Sequence, residues 1–220
     1  MMVLVYILSA VLVSYLLGSI SFGVIFSKIF AKKDVREYGS GGSGMTNVMR
    51  AIGLLPGILT FVFDALKGFV ACHLAMRTFF PLAHYFSGGE WYTEPLYGAY
   101  LCGLVCMLGH MFPVFFRFKG GKGVATSVGI FAVCCPWAIV AGLLVFILSV
   151  IFSRIVSLSS LIATVTVGVG VVIWHTRGYS FWVQAILTFA MCALVFWKHK
   201  DNIIRLAKGE EKRLVVRKGE

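Results

Sequence analysis

Charge is scarce in this chain: of 220 residues 13% are charged, and only nine are acidic against twenty Lys and Arg. With 59% hydrophobic residues and a mean hydropathy of +0.90, that scarcity excludes an ordinary water-soluble domain. No charge precedes Lys28 and no small-residue cleavage site is present, so the start reads as a retained span rather than a cleaved signal. Carboxylates are nearly missing from the apolar runs. Asp64 is the only one there, and no acidic cluster suits a divalent metal. The cysteines (Cys72, Cys102, Cys106, Cys134, Cys135 and Cys192) lie in apolar runs without histidine partners at metal-ligand spacing. They are expected to be small buried hydrophobes, and neither a metal nor a cofactor is expected.

What is present is a series of apolar runs at 3–27, 54–76, 96–116, 137–152, 157–174 and 180–197. They are too long and too continuous for the alternating strands of a membrane barrel. The expected fold is therefore all-α, a polytopic membrane bundle forming one domain over 1–197, with loops 28–53 and 117–123 and a basic tail over 198–220. Basic residues cluster in those loops and in the tail, whereas the 77–95 connection carries Arg77 against Glu90 and Glu94. By the positive-inside rule the N-terminus lies outside and the basic segments are cytosolic. The same clustering at helix ends argues for orientation and lipid contact, not nucleic acid.

Six spans would leave the basic tail on the wrong side. The missing element is 123–135, a short apolar stretch ending at Pro136 that would cover only about 20 Å and act as a half-spanning helix. With about seven transmembrane or half-spanning helices, Arg154 and Ser157 also face the cytosol.

Two glycine-rich loops interrupt this pattern. The first runs from Gly39, Ser40, Gly41 and Gly42 to Thr46 and Asn47, with Arg50 sharing a helical face with Thr46. The second is Lys119-Gly120-Gly121-Lys122-Gly123, leading into the short apolar helix. Glycines let backbone N–H groups converge on an anion, and a helix N-terminus adds its dipole. A flexible hairpin is the competing reading of the first loop. The second lacks the Gly-Lys-Ser/Thr of a nucleotide P-loop. His110, just before it, suits a ligand contact or a structural histidine equally.

A third group is His199 and Asn202, three apart on one helical face, in a segment that also suits an amphipathic helix on anionic lipid. Asp64 and Lys67, three apart within a span, are a candidate functional pair, a local ion pair, or a brace beneath the loops. His73, His84 and His175 are expected to be incidental.

Several lipid-enzyme signatures are missing. No histidine has an aspartate five positions on, no aspartate cluster of the CDP-alcohol transferases exists, and there is no serine nucleophile elbow. What remains is an anion site that works by positioning and charge stabilisation.

These residues together resemble the acyl-phosphate:glycerol-3-phosphate acyltransferases of bacterial membranes, the PlsY family. The resemblance runs through Gly18-Ser19-Ile20, Gly39 to Arg50, Asp64 to Gly68, Gly109-His110 with Phe112-Pro113, and Phe118 to Thr126. It continues through Arg154 with Val156-Ser157-Leu158, and His199 to Glu211. It implies a seven-helix bundle in the bacterial inner membrane that moves an acyl group from acyl phosphate to the 1-hydroxyl of glycerol 3-phosphate. The products would be lysophosphatidic acid and phosphate. It also implies catalytic roles for His199, Asn202 and Lys122. Substrate contacts would come from Ser40, Gly41, Thr46, Asn47, Arg50, Lys119, Gly120, Gly121, Gly123 and Ser157. Glu211, Asp64 and Lys67 would be structural, with membrane lipids as the other partners. Gly42 and Met45 replace the family's usual asparagine and alanine, and Ser21 stands where proline is common. A transporter or binding protein for a phosphorylated metabolite is the alternative, although no internal repeat supports it.

Overall fold

The structure is a computed structural model, and it describes residues 1–174 and 181–214. His175 lies outside the described residues. Among the described residues every regular element is helical. In chain order these are α1 (Met2–Gly18), α2 (Phe22–Ala31), α3 (Met45–Ala51), α4 (Leu54–Leu74), α5 (Phe80–Ser87) and α6 (Pro95–Met111). They are followed by α7 (Val124–Cys134), α8 (Pro136–Ser153), α9 (Val156–Trp174), α10 (Phe181–Lys198) and α11 (Lys200–Ala207). Six helical stretches are long and apolar enough to cross a membrane, and α7 is a shorter apolar helix. Its 11 residues rise about 16 Å, roughly half a bilayer core.

Two expected spans are present but differ in shape and length. The run 3–27 is not one helix but breaks at Ser19–Ser21, leaving the Ile20 carbonyl free to accept 2.7 Å from Lys67 Nζ. Ser21 starts α2 from a non-helical conformation, and its buried hydroxyl finds no hydrogen-bond partner among the described residues. The second span does not stop near 76. It continues through a π-helical turn, Ala75–Phe79, into α5 and ends at Ser87. Pro81 has no N–H to give the helix, and a π-turn is one way to re-pair the ladder around it. Burial adds a second reason, since Phe80 and Ala83 pack inside the bundle with Ala10 and Cys102 nearby.

The main core joins α4, α6, α7, α8, α9 and α10 through Cys72, Tyr100, Met107, Ile130, Ile139, Val167 and Met191. All six cysteines are free, and five are buried. Helices α4 and α7 come closest at Gly68 and Gly129. A Cβ on Gly129 would collide with the Ala65 carbonyl oxygen and come within 2.7 Å of the Phe69 nitrogen. Small residues are the means by which membrane helices approach this tightly, because lipid supplies no hydrophobic drive between them. One end of the bundle carries the basic loops. The other carries Trp91, Trp137 and exposed Trp174 and Trp182, as an aromatic interface belt would. The Trp137 and Trp174 rings lie 6.0 Å apart, so α8 starts where α9 ends.

Because α7 is held by this contact, Gly129→Ala should separate α4 from α7 and destabilise the bundle by about 1–3 kcal/mol. A lowered midpoint of thermal unfolding in detergent is the expected result, and an unchanged midpoint would contradict the packing.

Candidate active site

The first glycine loop comes after α2 and is built around two side chains. Asp34 caps a short turn, Val35–Glu37, and accepts from the Arg36 backbone N–H at 3.0 Å. Its carboxylate also takes the Arg36 guanidinium on both oxygens, at 2.9 and 2.7 Å. Asn47, the first-turn residue of α3, reaches back into the loop. Its Oδ1 accepts from Ser40 N–H, and its Nδ2 donates to the Tyr38 and Gly42 carbonyls at 2.9 and 2.8 Å. The amide expected among the substrate contacts is thus committed to shaping the loop. It also explains why Gly42 works without a side chain, since the carbonyl at that position is what the loop uses. Ser40 and Arg50 remain exposed and Thr46 half-buried.

The second loop starts where α6 ends. Arg117 and Phe118 both adopt left-handed conformations, at φ 56° and 58°. The chain then folds back so that Gly121 N–H donates 3.2 Å to the His110 carbonyl. A Cβ on Gly120 would strike that carbonyl, and one on Gly121 would strike the His110 ring, so only glycine fits. Beneath them His110 Nδ1 lies 3.5 Å from Asp64 Oδ1, and Asp64 pairs with Lys67 at 2.7 Å, both side chains 2% exposed. Asp64 and Lys67 thus form a local ion pair, and Asp64 also reaches the histidine that underlies the second loop. Gly123, at φ 86°, leads directly into α7.

The third part is the end of α10 together with α11 and the tail. His199 is 3% exposed, and its Nδ1 meets the Val195 carbonyl at 2.8 Å. A carbonyl can only accept, so Nδ1 carries the proton and Nε2 presents a lone pair. Burial, and then the charge of Lys122, lowers its pKa to about 4. Lys122 Nζ donates to Asn202 Oδ1, and Asn202 Nδ2 donates 2.7 Å to Glu211 Oε1. Ser157 Oγ donates to the same oxygen at 2.8 Å, and Arg205 Nε to Oε2 at 2.7 Å. Burial pushes the Glu211 carboxyl up, but the hydrogen bonds from Asn202, Ser157 and Arg205 hold its pKa below the ordinary value. Burial lowers the pKa of the Lys122 ammonium, with Glu211 opposing. The tail then lies across the face: Leu214 N–H donates to the Arg154 carbonyl and Arg50 reaches the Lys212 carbonyl.

Of the site residues expected from sequence, Lys122, Ser157, His199, Asn202 and Glu211 therefore converge. Arg50 is near enough for its charge to act on Lys122, and Thr46 precedes Arg50 by one helical turn on α3. Lys119 is exposed at its rim. An apolar groove opens beside this cluster, lined by Phe61, Val124, Phe131, Phe146, Ser160 and Val167 among others. Val124 is two residues from Lys122 and Ser160 three from Ser157, so the helices that start at the polar cluster also line the groove.

Sequence reasoning overlooked Asp34 and Arg36. Arg36 Nη1 donates 2.7 Å to the Phe116 carbonyl and approaches the Lys119 carbonyl at 3.5 Å, joining the two loops. The signal available was an aspartate two residues before an arginine at the start of a loop, a common capped-turn pattern.

The family model described as glycerol-3-phosphate acyltransferase matches residues 8–209. A glycerol-3-phosphate acyltransferase of Anaeromyxobacter dehalogenans is 41% identical over 210 residues, covering 94% of this chain and 98% of its own. Glycerol-3-phosphate acyltransferase 2 of Bacillus anthracis is 36% identical over 207 residues, covering 93% and 97%. Among solved structures, the integral membrane glycerol 3-phosphate acyltransferase PlsY in its glycerol 3-phosphate form superposes with a TM-score of 0.82. It is 34% identical, and 95% of this chain and 96% of that one are covered. Its lysophosphatidic acid form gives 0.80 at the same identity. With this fold, this site and near-complete coverage, the chain belongs to the glycerol-3-phosphate acyltransferase family, as a PlsY-type integral membrane enzyme.

Proposed function

We propose that this enzyme takes its acyl group from acyl phosphate and delivers it to the 1-hydroxyl of glycerol 3-phosphate. Lysophosphatidic acid and inorganic phosphate are the products, and no cofactor or metal takes part. The observation that carries this reading is the joining of Lys122, Asn202, Glu211 and Ser157 in one polar cluster, on the same chain segments whose next turns, at Val124 and Ser160, line an apolar groove. An anion site with a hydrophobic groove on the same helices suits a molecule with a phosphate at one end and a hydrocarbon chain at the other. We place the N-terminus outside, and the basic loops and tail in the cytosol of a bacterial cell, at its inner membrane. The bundle over 1–197 would form one domain and 198–220 its basic cytosolic extension.

Acyl phosphate is a mixed anhydride, so its carbonyl is already activated. The glycerol hydroxyl oxygen bonds to the carbonyl carbon, the bond from that carbon to the phosphate oxygen breaks, and phosphate leaves with the electron pair. Ser40, Thr46, Arg50 and Lys119, with the Gly120 and Gly123 backbone, supply donors to two phosphates that would otherwise repel, while Gly41 and Gly121 N–H are spent on shaping the two loops. Lys122 neutralises charge on the reacting phosphate, and Asn202 and Glu211 keep it aimed. Asn47 serves through the loop it frames and Ser157 through Glu211. His199, neutral with Nε2 free, accepts the hydroxyl hydrogen bond and orients the nucleophile. A ring with a pKa of about 4 holds a proton poorly at neutral pH, so the departing phosphate takes it.

Three outcomes test this. Purified full-length protein in detergent should release phosphate and form lysophosphatidic acid in equal amounts from acyl phosphate and glycerol 3-phosphate. No phosphate release with any acyl donor would end the enzyme reading. Activity with acyl-CoA alone would end the choice of donor, and a phosphate burst without glycerol 3-phosphate would point to an acyl-enzyme.

Filling the groove with Ala163→Phe should lower kcat/KM for long acyl phosphates much more than for short ones; equal loss across lengths would place the chain elsewhere.

His199 gives a pH dependence with a definite sign. Its folded pKa of about 4 lies below the ordinary value of 6.5, so the unfolded state binds the extra proton between those limits. Stability is complete above pH 6.5 and falls as pH drops towards 4, by on the order of 2–3 kcal/mol. Thermal unfolding should show this acid limb in wild-type protein and lose most of it in His199→Gln.

A further inference from the structure

Arg36 is an arginine on one loop whose hydrogen bonds end on the other. Its Nε and Nη2 are held by Asp34, at 2.9 and 2.7 Å, which fixes the plane of the guanidinium. That orientation aims Nη1 across the gap at the Phe116 carbonyl, 80 residues away in the chain, at 2.7 Å. The Phe116 ring lies 5.8 Å from the guanidinium carbon, adding a stacked contact. The acceptor belongs to a turn with two consecutive non-glycine residues, Arg117 and Phe118, in the left-handed region. Such a conformation is costly and persists where surrounding contacts over-determine it.

We propose that Arg36 is a positioning residue for the transfer reaction: clamped by Asp34, it fixes the second glycine loop relative to the first and so sets the separation of the two substrate phosphates. This rests on the two-phosphate reading of the loops.

The second loop is anchored at two ends. Gly121 is tied at one end to the His110 carbonyl. Lys119 and Phe116 are tied at the other by Arg36. Gly120 lies between those anchors and Lys122 directly follows Gly121, so the donors proposed for a phosphate are carried by the segment that the two anchors hold. Remove the second anchor and the loop pivots on Gly121, so its donors no longer face a phosphate held by Ser40, Thr46 and Arg50. An exposed ion pair would contribute little. This one is different in that both side chains are more than four-fifths buried, at 19% and 17% exposure, and the cation has a third partner across the gap. The Arg36 hydrogen bond holds the pKa of the Asp34 carboxyl below its ordinary value, so the clamp is intact throughout neutral pH. Lysine could not substitute, because a single ammonium cannot grip both carboxylate oxygens and still reach the carbonyl.

The test compares wild-type protein with Arg36→Ala and Arg36→Lys in detergent. It measures transfer kinetics, the affinity for inorganic phosphate by thermal shift, and the unfolding midpoint without ligand. Loss of the clamp should lower kcat/KM about ten- to a hundredfold and weaken phosphate binding in step. Ala and Lys variants should be similarly impaired, and millimolar guanidinium ion should restore part of the activity of Arg36→Ala alone. A purely structural role would instead lower the midpoint with no rescue, which overturns the proposal. Wild-type kinetics and phosphate affinity in Arg36→Ala, or full function in Arg36→Lys, overturn it too. Because phosphate affinity is read without turnover, the clamp can fail while acyl transfer stands, and the reverse.

Discussion

The basic face rests on one buried ion pair. Asp64 and Lys67 sit in α4 at 2.7 Å, where hydrocarbon surrounds the bundle and an unpaired charge would be expensive. Each charge is also used a second time. Lys67 satisfies the Ile20 carbonyl that the break between α1 and α2 leaves open, and Asp64 stands under His110. His110 in turn is the seat on which Gly120 and Gly121 lie with no room for a Cβ. Removing one partner would leave the other charged and buried, and the loss would travel upward through His110 to the glycine loop.

From that seat upward the site is an exercise in directing hydrogen bonds. Lys122, Asn202, Glu211 and Ser157 form a chain in which each donor has one acceptor, so Lys122 is held without being neutralised outright. His199 is fixed in one tautomer by the Val195 carbonyl. None of these groups needs to form a bond to the acyl carbon. In the proposed reaction the substrate is already activated, and the protein's contribution would be to bring two anions together and keep the chain in an apolar groove. Siting this at the end of a membrane bundle places the hydrocarbon tail where it is soluble and the phosphates where cations are.

Much of this was legible beforehand. Composition and run length imply a helical membrane bundle, and charge parity requires the short helix that appears as Val124–Cys134. The glycine loops, His199 and Asn202 stand out because their residue types are rare in apolar surroundings. What stayed hidden was direction. Asn47 looked like a ligand because it ends a glycine loop, yet its amide is spent on backbone at Ser40, Tyr38 and Gly42. Arg36 looked like a topology charge, yet it spans two loops. The second span looked finished near 76, but burial of Phe80 carried the helix on to Ser87.

Sequence by itself therefore determined the class of the molecule and the candidates for its site. Hydrophobic length, basic loops and convergent glycines act locally, and each leaves its mark on neighbouring residues. Tertiary structure alone decided which of those side chains bind one another and which are left unspent. Those choices depend on contacts between residues such as Arg36 and Phe116, or Ser157 and Glu211, that only folding brings within hydrogen-bond reach. A hydrogen bond needs a partner within about 3 Å and a defined angle. No pattern along a chain encodes that distance.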